Sequence, residues 1–290
     1  MWFFLSLYFA LWSAIYLPIA KKVLQRVSPT TFLFISNIFV LVFALTVLIY
    51  SEGFPHITNK FLILMLASSI FDFIAFMLSF RAIKLSPISL LAPINSFTPA
   101  FTTLIAMFTI NEVPTPKKLF GIIVIVLGSY FLNIKDIKKG ILSPIKRLFS
   151  DKGVRLAFVA NLLWAITPIF QKQAIFQTKP TVPLFASFAG VVFVTLLVTP
   201  YILKKESKQI VPALKQNIGW LIIIGFFGSL AQLAAFMSFS QTNVGYAVAI
   251  FRLSTIFTIL FGALFFREKR IYERLLGASI MVAGTLLLVL

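Results

Sequence analysis

The chain has 290 residues, of which 60% are hydrophobic and 12% charged, with a formal net charge of +18. An average soluble domain carries about 25% charged residues, so this composition excludes a water-covered globule. There is no cysteine and a single histidine, His56, which excludes disulfides, thiolate metal sites and any metal centre built from histidines.

A helix needs about 20 apolar residues to cross the hydrocarbon core of a bilayer. In chain order the sequence predicts spans at 2–20, 31–50, 61–83, 87–110, 119–134, 154–171, 183–203, 218–240, 243–266 and 272–290. The apolar runs are too long and too unbroken to alternate every second residue as barrel strands do. An all-helical bundle also satisfies every backbone polar group within its own segment. The opening run Met1-Trp2-Phe3-Phe4 has no positively charged stretch before it, so it is expected to be a retained first helix rather than a cleaved signal.

Motifs recur between the two halves. Ala75-Phe76-Met77 returns as Ala235-Phe236-Met237, and Pro18-Ile19-x-x-Lys22 as Pro168-Ile169-x-x-Lys172. Glu112, Gly121 and Gly128 return as Glu268, Gly277 and Gly284 at a constant offset of 156. The expected organisation is a first unit at 1–134, a basic connector at 135–153 and a second unit at 154–290. The connector reads either as a solvated linker at anionic headgroups or as a regulatory or partner-binding segment. Five spans per unit is an odd number, so the copies must run in opposite directions, as in the inverted repeats of secondary transporters. The expected fold is therefore an all-α integral membrane protein of ten transmembrane helices in two inverted five-helix repeats.

Loops after spans 1, 3, 5, 7 and 9, counted with the span ends that flank them, hold 20 of the 26 Lys and Arg residues, and the other loops hold 5. This distribution explains the net charge by orientation and anionic lipid, not by nucleic acid. It places both termini outside the cytoplasm of an inner, plasma-membrane protein.

Two copies of five helices, each with a Glu after the fourth and a Gly-x6-Gly fifth helix, resemble the EamA family of the drug/metabolite transporter superfamily. The segments Trp12–Lys22 and Trp164–Lys172 also look like that family's first helices. The resemblance implies a central cavity lined mainly by helices 1, 3, 4, 6, 8 and 9, with helices 5 and 10 as a scaffold. It implies transport of small organic solutes, often the export of amino acids; with eight acidic residues, no Cys and one His in a loop, the residues themselves argue against an enzyme, and no cofactor is expected. The family's usual placement of both termini in the cytoplasm is opposite to the charge count.

Charges at membrane depth are rare and point to function. Asp72 is central in span 3 and Arg252 in span 9. An Arg fork can hold a carboxylate or phosphate, and an Asp can hold an ammonium group or a proton that drives exchange. Together they suggest a zwitterion; the alternative is that they pair with each other and hold the bundle shut. Repeat offsets set Asp72 against Gln232 and Arg252 against Ser96, beside Asn95, so both depths are polar in both halves. Asn95, Ser96 and Gln232 are expected to line the cavity, the alternative being hydrogen bonds between helices. Trp12, Tyr16, Trp164 and Tyr246 can stack a ring or cation or anchor at the interface, and Asn161 shares a face with Trp164. Pro87, Pro93 and Pro99 are expected to kink span 4, and Pro18 and Pro168 to act as hinges. Glu112 and Glu268 are expected to pair with Lys117 or Lys118 and with Lys269 or Arg270. Gly121, Gly128, Gly277 and Gly284 read as a packing seam.

The leading function is a secondary transporter of a small polar or zwitterionic metabolite, working by alternating access as a monomer or homodimer, with protons as a candidate coupling ion. The alternative is a translocator of a phosphorylated or lipid-linked substrate such as a sugar phosphate or nucleotide sugar.

Overall fold

The computed structural model describes residues 1–51, 54–86, 91, 94–95, 97–133, 150–257 and 272–290. Pro87, Pro93, Ser96, Glu268 and most of the basic connector lie outside the described residues.

The described chain is almost wholly helical. In order, the elements are α1 (Trp2–Leu24), α2 (Pro29–Ser51), β1 (His56–Ile57), α3 (Asn59–Leu85), α4 (Thr98–Thr109) and α5 (Pro116–Asn133). They continue with α6 (Lys152–Ile175), β2 (Thr178–Lys179), α7 (Pro183–Tyr201), α8 (Ser207–Gln241), α9 (Val244–Phe251) and α10 (Tyr272–Val289). Short polar residues set the helix starts. Thr58 Oγ1 accepts the Phe61 N–H at 3.1 Å at the head of α3, and Asp151 Oδ1 accepts the Val154 N–H at 3.0 Å at the head of α6. Each satisfies a donor that has no partner inside the helix.

By length and composition, five helical stretches among the described residues can cross a membrane: Trp2–Leu24, Pro29–Tyr50, Asn59–Leu85, Lys152–Ile175 and Pro183–Gln241. The last has 59 residues, about 88 Å at 1.5 Å per residue, far more than one crossing of about 30 Å. The chain reverses inside it. A π-helical turn, Ile202–Glu206, ends at Glu206 with φ −129 and ψ 10, outside the helical region, and α7 and α8 then pack on each other. The polar stretch between the predicted spans 183–203 and 218–240 is thus helical rather than an open loop, with Pro212 inside α8.

The main packing partners come from opposite halves of the chain. α3 lies along α6, α1 and α2 against α8, α2 against α7, α4 against α9, and α5 along α10. The β1–β2 ladder joins the halves once more, antiparallel, with His56 opposite Lys179. In the α5–α10 seam two helix backbones approach closely. A Cβ on Gly121 would stand 3.0 Å from Gly284 O, and one on Gly128 would stand 2.9 Å from Gly277 O. The backbones meet because these positions carry no side chain. Gly121 faces Gly284 while Gly128 faces Gly277, so the two helices run antiparallel.

Candidate functional site

A cavity of about 180 Å³ lies among α1, α2, α3, α6, α7 and α8. Its polar wall is Asp72 from α3, Ser13 and Tyr16 from α1, Ser36 and Asn37 from α2, Gln171 from α6 and Gln232 from α8. Trp12, Phe9, Phe76 and Phe236 supply aromatic surface. Among the described residues, Asp72 is the one carboxylate that lines the cavity, and no Lys or Arg lines it. Gln171 Nε2 donates to Asp72 Oδ2 at 3.0 Å, so a neutral amide from the facing helix orients the carboxylate. Trp12 stacks on Phe227 with ring centroids 5.6 Å apart, and its ring centroid is 6.2 Å from that of Tyr16. That packing fixes two aromatic faces on the α1 side of the cavity.

Of the residues singled out in the sequence, Asp72, Gln232, Trp12 and Tyr16 come together here. Arg252 does not line this cavity, and among the described residues no ion pair joins it to Asp72. Its Nε is buried at the end of α9, with no hydrogen-bond partner among the described residues. The convergence of the two charges on one solute is therefore absent from this cavity. Asn161 and Asn95 are also elsewhere. Asn161 Nδ2 donates to Asn95 Oδ1 at 2.6 Å and to Ala157 O at 2.7 Å, while Thr98 Oγ1 donates to Asn161 Oδ1 at 2.8 Å. These side chains satisfy one another and bridge α6 to the start of α4. Trp164 packs edge-on against Phe76 at 5.5 Å, behind the cavity wall. Tyr246 is buried, with Lys118 Nζ 5.0 Å from its ring centre.

The prolines divide. Pro18 and Pro168 lie inside helices α1 and α6, the first exposed and the second buried. Pro99 sits in the first turn of α4 rather than at a mid-helix kink. There its missing N–H would have had no helical partner anyway.

Glu112 departs from its expected pairing with Lys117 or Lys118. Asn111 takes φ 54 just past the end of α4, a left-handed conformation that Asn tolerates, and the chain turns so that Glu112 points inward. Glu112 Oε1 pairs with Lys172 Nζ of α6 at 2.5 Å, and Oε2 accepts the Val244 N–H at 2.8 Å at the head of α9. Lys172 Nζ also donates to Thr242 O at 2.7 Å. A carboxylate is favoured at a helix N-terminus by the unpaired N–H groups there. A second carboxylate tie lies at the α7–α8 reversal, where Glu206 Oε2 accepts hydroxyl bonds from Ser28, Thr30 and Thr31 at 2.6, 2.6 and 2.8 Å.

Sequence reasoning missed Ser13, Ser36, Asn37 and Gln171. The available signal was the same one that marked Asp72, a polar residue inside an apolar run. Asn37, for example, stands in Phe32-Leu33-Phe34-Ile35-Ser36-Asn37-Ile38.

The sequence model of the EamA-like transporter family matches residues 1–134 and 151–290. The chain belongs to the EamA-like transporter family. It is an integral membrane protein of the drug/metabolite transporter superfamily. Among solved structures, one described only as "Crystal structure of protein" superposes with a TM-score of 0.75 at 12% identity, covering 100% of this chain and 98% of that one. That likeness concerns the fold alone. Among curated proteins no sequence matches.

Proposed function

We propose that this EamA protein is a secondary transporter of a small polar metabolite bearing a cationic amine, amino acids among them, moved by alternating access through the Asp72 cavity. The observation that carries this reading is a carboxylate on the cavity wall with no lining cation among the described residues. An ionised group at membrane depth needs a counter-charge, and an ammonium group or a proton supplies one. Trp12 and Tyr16 present aromatic faces to the same space, where a desolvated cation is attracted to the ring. The volume, about 180 Å³, lies below the roughly 300–1,000 Å³ of pockets for drug-sized ligands, which suits a metabolite. A phosphorylated cargo would meet Asp72 and, among the described residues, no lining cation.

Protons are the proposed coupling ion, with Asp72 as their site. The proposed architecture is ten spans in two oppositely threaded halves. The α5–α10 seam supports it, because exchanging the halves at an offset of 156 turns Gly121 into Gly277 and Gly128 into Gly284, mapping the contact onto itself. The loop charges support both termini lying outside the cytoplasm.

The test is a thermal-shift screen of the purified protein against amines, amino acids and sugar phosphates, repeated with Asp72→Asn. A ligand stabilises the state that binds it. The reading predicts shifts with amine-bearing solutes that Asp72→Asn removes. Shifts with sugar phosphates that survive Asp72→Asn would reject it.

A further inference from the structure

We infer that the last turn of α6 couples the cavity carboxylate to a polar latch at one end of the molecule. The inference rests on the proposed role of Asp72 in holding the solute. Gln171 and Lys172 are consecutive residues in that turn, and consecutive side chains on a helix diverge by about 100°. The turn therefore addresses two neighbourhoods at once. Gln171 Nε2 holds Asp72 Oδ2 at 3.0 Å on the cavity side. Lys172 Nζ pairs with Glu112 Oε1 at 2.5 Å and donates to Thr242 O at 2.7 Å on the other. Glu112 in turn receives the Val244 N–H at 2.8 Å. The ends of α4, α6 and α8 and the start of α9 are thus tied through one ion pair, whose side chains are 16% and 9% exposed.

This arrangement has the features that coupling requires. An ion pair with little exposure is stable when closed, and stable when both groups are fully hydrated, but not between, because each unpaired charge then loses solvation without gaining a partner. It is a two-state element, which two sites can bias. A cation entering the cavity takes the oxygen atoms of Asp72 in competition with the Gln171 amide. Once Gln171 is released, Thr167, one turn back, is the α6 residue still bonded to Asp72, so the turn that carries Lys172 is held less firmly and the latch opens more readily. The equivalent lysine of the first half, Lys22, is set differently, with Nζ 4.9 Å from the centre of the Trp220 ring. The repeat therefore places its two equivalent lysines in unlike surroundings.

The chain has no cysteine, so spin labels can be placed on Val113→Cys and Gln241→Cys, exposed positions beside Glu112 and Thr242, in the full-length protein. Electron–electron distances across the latch need no solute. The parent should give one short distance. Lys172→Met should populate a longer one, and Lys172→Arg should restore the short one. The decisive variant is Gln171→Leu, which leaves Glu112 and Lys172 intact. Loss of one hydrogen bond to a charged group should raise the open fraction about tenfold. If Gln171→Leu does not fold, Gln171→Asn, one methylene shorter, breaks the same contact. An unchanged distance distribution in the Gln171 variant overturns the coupling, and an unchanged distribution in Lys172→Met overturns the latch itself. A failure of Asp72 to bind amines would leave these distances as they are, so the two readings fail separately.

Discussion

The α5–α10 seam makes a sharp prediction through Gly128→Ala. The new methyl carbon would stand 2.7 Å from Met281 Cγ, 2.8 Å from Met281 N and 2.9 Å from Gly277 O. The methionine side chain can move aside, but the other two atoms are backbone of α10. To restore ordinary contact, α10 must withdraw by about half an ångström and loosen its fit to α5. Overpacking of this kind costs about 1–3 kcal/mol, while replacing Gly by Ala inside a helix gains about 1 kcal/mol. The net effect is a loss of up to about 2 kcal/mol. Gly219→Ala is the internal control, because a Cβ there meets nothing within 4 Å and only the gain of about 1 kcal/mol remains. The two variants should therefore differ by about 1–3 kcal/mol in unfolding by sodium dodecyl sulfate in mixed micelles. Gly284→Ala, facing Ile125 N at 2.8 Å and Gly121 O at 2.9 Å, should behave like Gly128→Ala. If Gly128→Ala proved as stable as Gly219→Ala, the seam would not be the close contact described.

Three further outcomes are expected. Trp12→Ala should weaken amine binding about 2- to 30-fold, the range of a cation–π contact, read by calorimetric titration of a solute found in the screen. Asn161→Ala should leave that affinity unchanged yet lower stability by about 1–3 kcal/mol, because Asn95 and Thr98 lose their partner in a buried setting. Glu206 is raised by burial, but the hydroxyls of Ser28, Thr30 and Thr31 and the Thr31 backbone outweigh this, holding its pKa below the usual 4.5. A carboxylate lowered in the folded state adds stability above its unfolded pKa and loses it as pH falls through the folded one. Glu206→Gln should therefore melt lower than the parent at neutral pH, and the gap should close below about pH 4.5; a gap independent of pH would show that the carboxylate charge is not what joins this corner to α2.

Much of this was legible in the sequence, because lipid imposes one rule on every span. Apolar runs located the helical stretches, and the Gly-x6-Gly spacing marked a packing face on spans 5 and 10, which the family resemblance paired with each other. Asp72, Gln232, Trp12 and Tyr16 were found by depth and residue type. Depth does not reveal direction, however. Asn95 and Asn161 lie at the right level but bond each other, and Arg252 ends α9 away from this cavity. Glu112 was sent to the wrong lysine because Lys117 and Lys118 are near in sequence. The left-handed turn at Asn111 carries it instead to Lys172, 60 positions away. Gln171 and Asn37 are amides in apolar runs, as Gln232 is, but no repeat offset ties them to Asp72. Yet the amide of Gln171 is one of the groups that orient the charge.

The most direct test of the account is uptake of an amine-bearing solute into proteoliposomes containing the parent, Asp72→Asn or Asn161→Ala at equal protein density. The account predicts solute accumulation driven by a pH gradient in the parent, retained in Asn161→Ala and abolished in Asp72→Asn. Gradient-driven accumulation that persists undiminished in Asp72→Asn would contradict it.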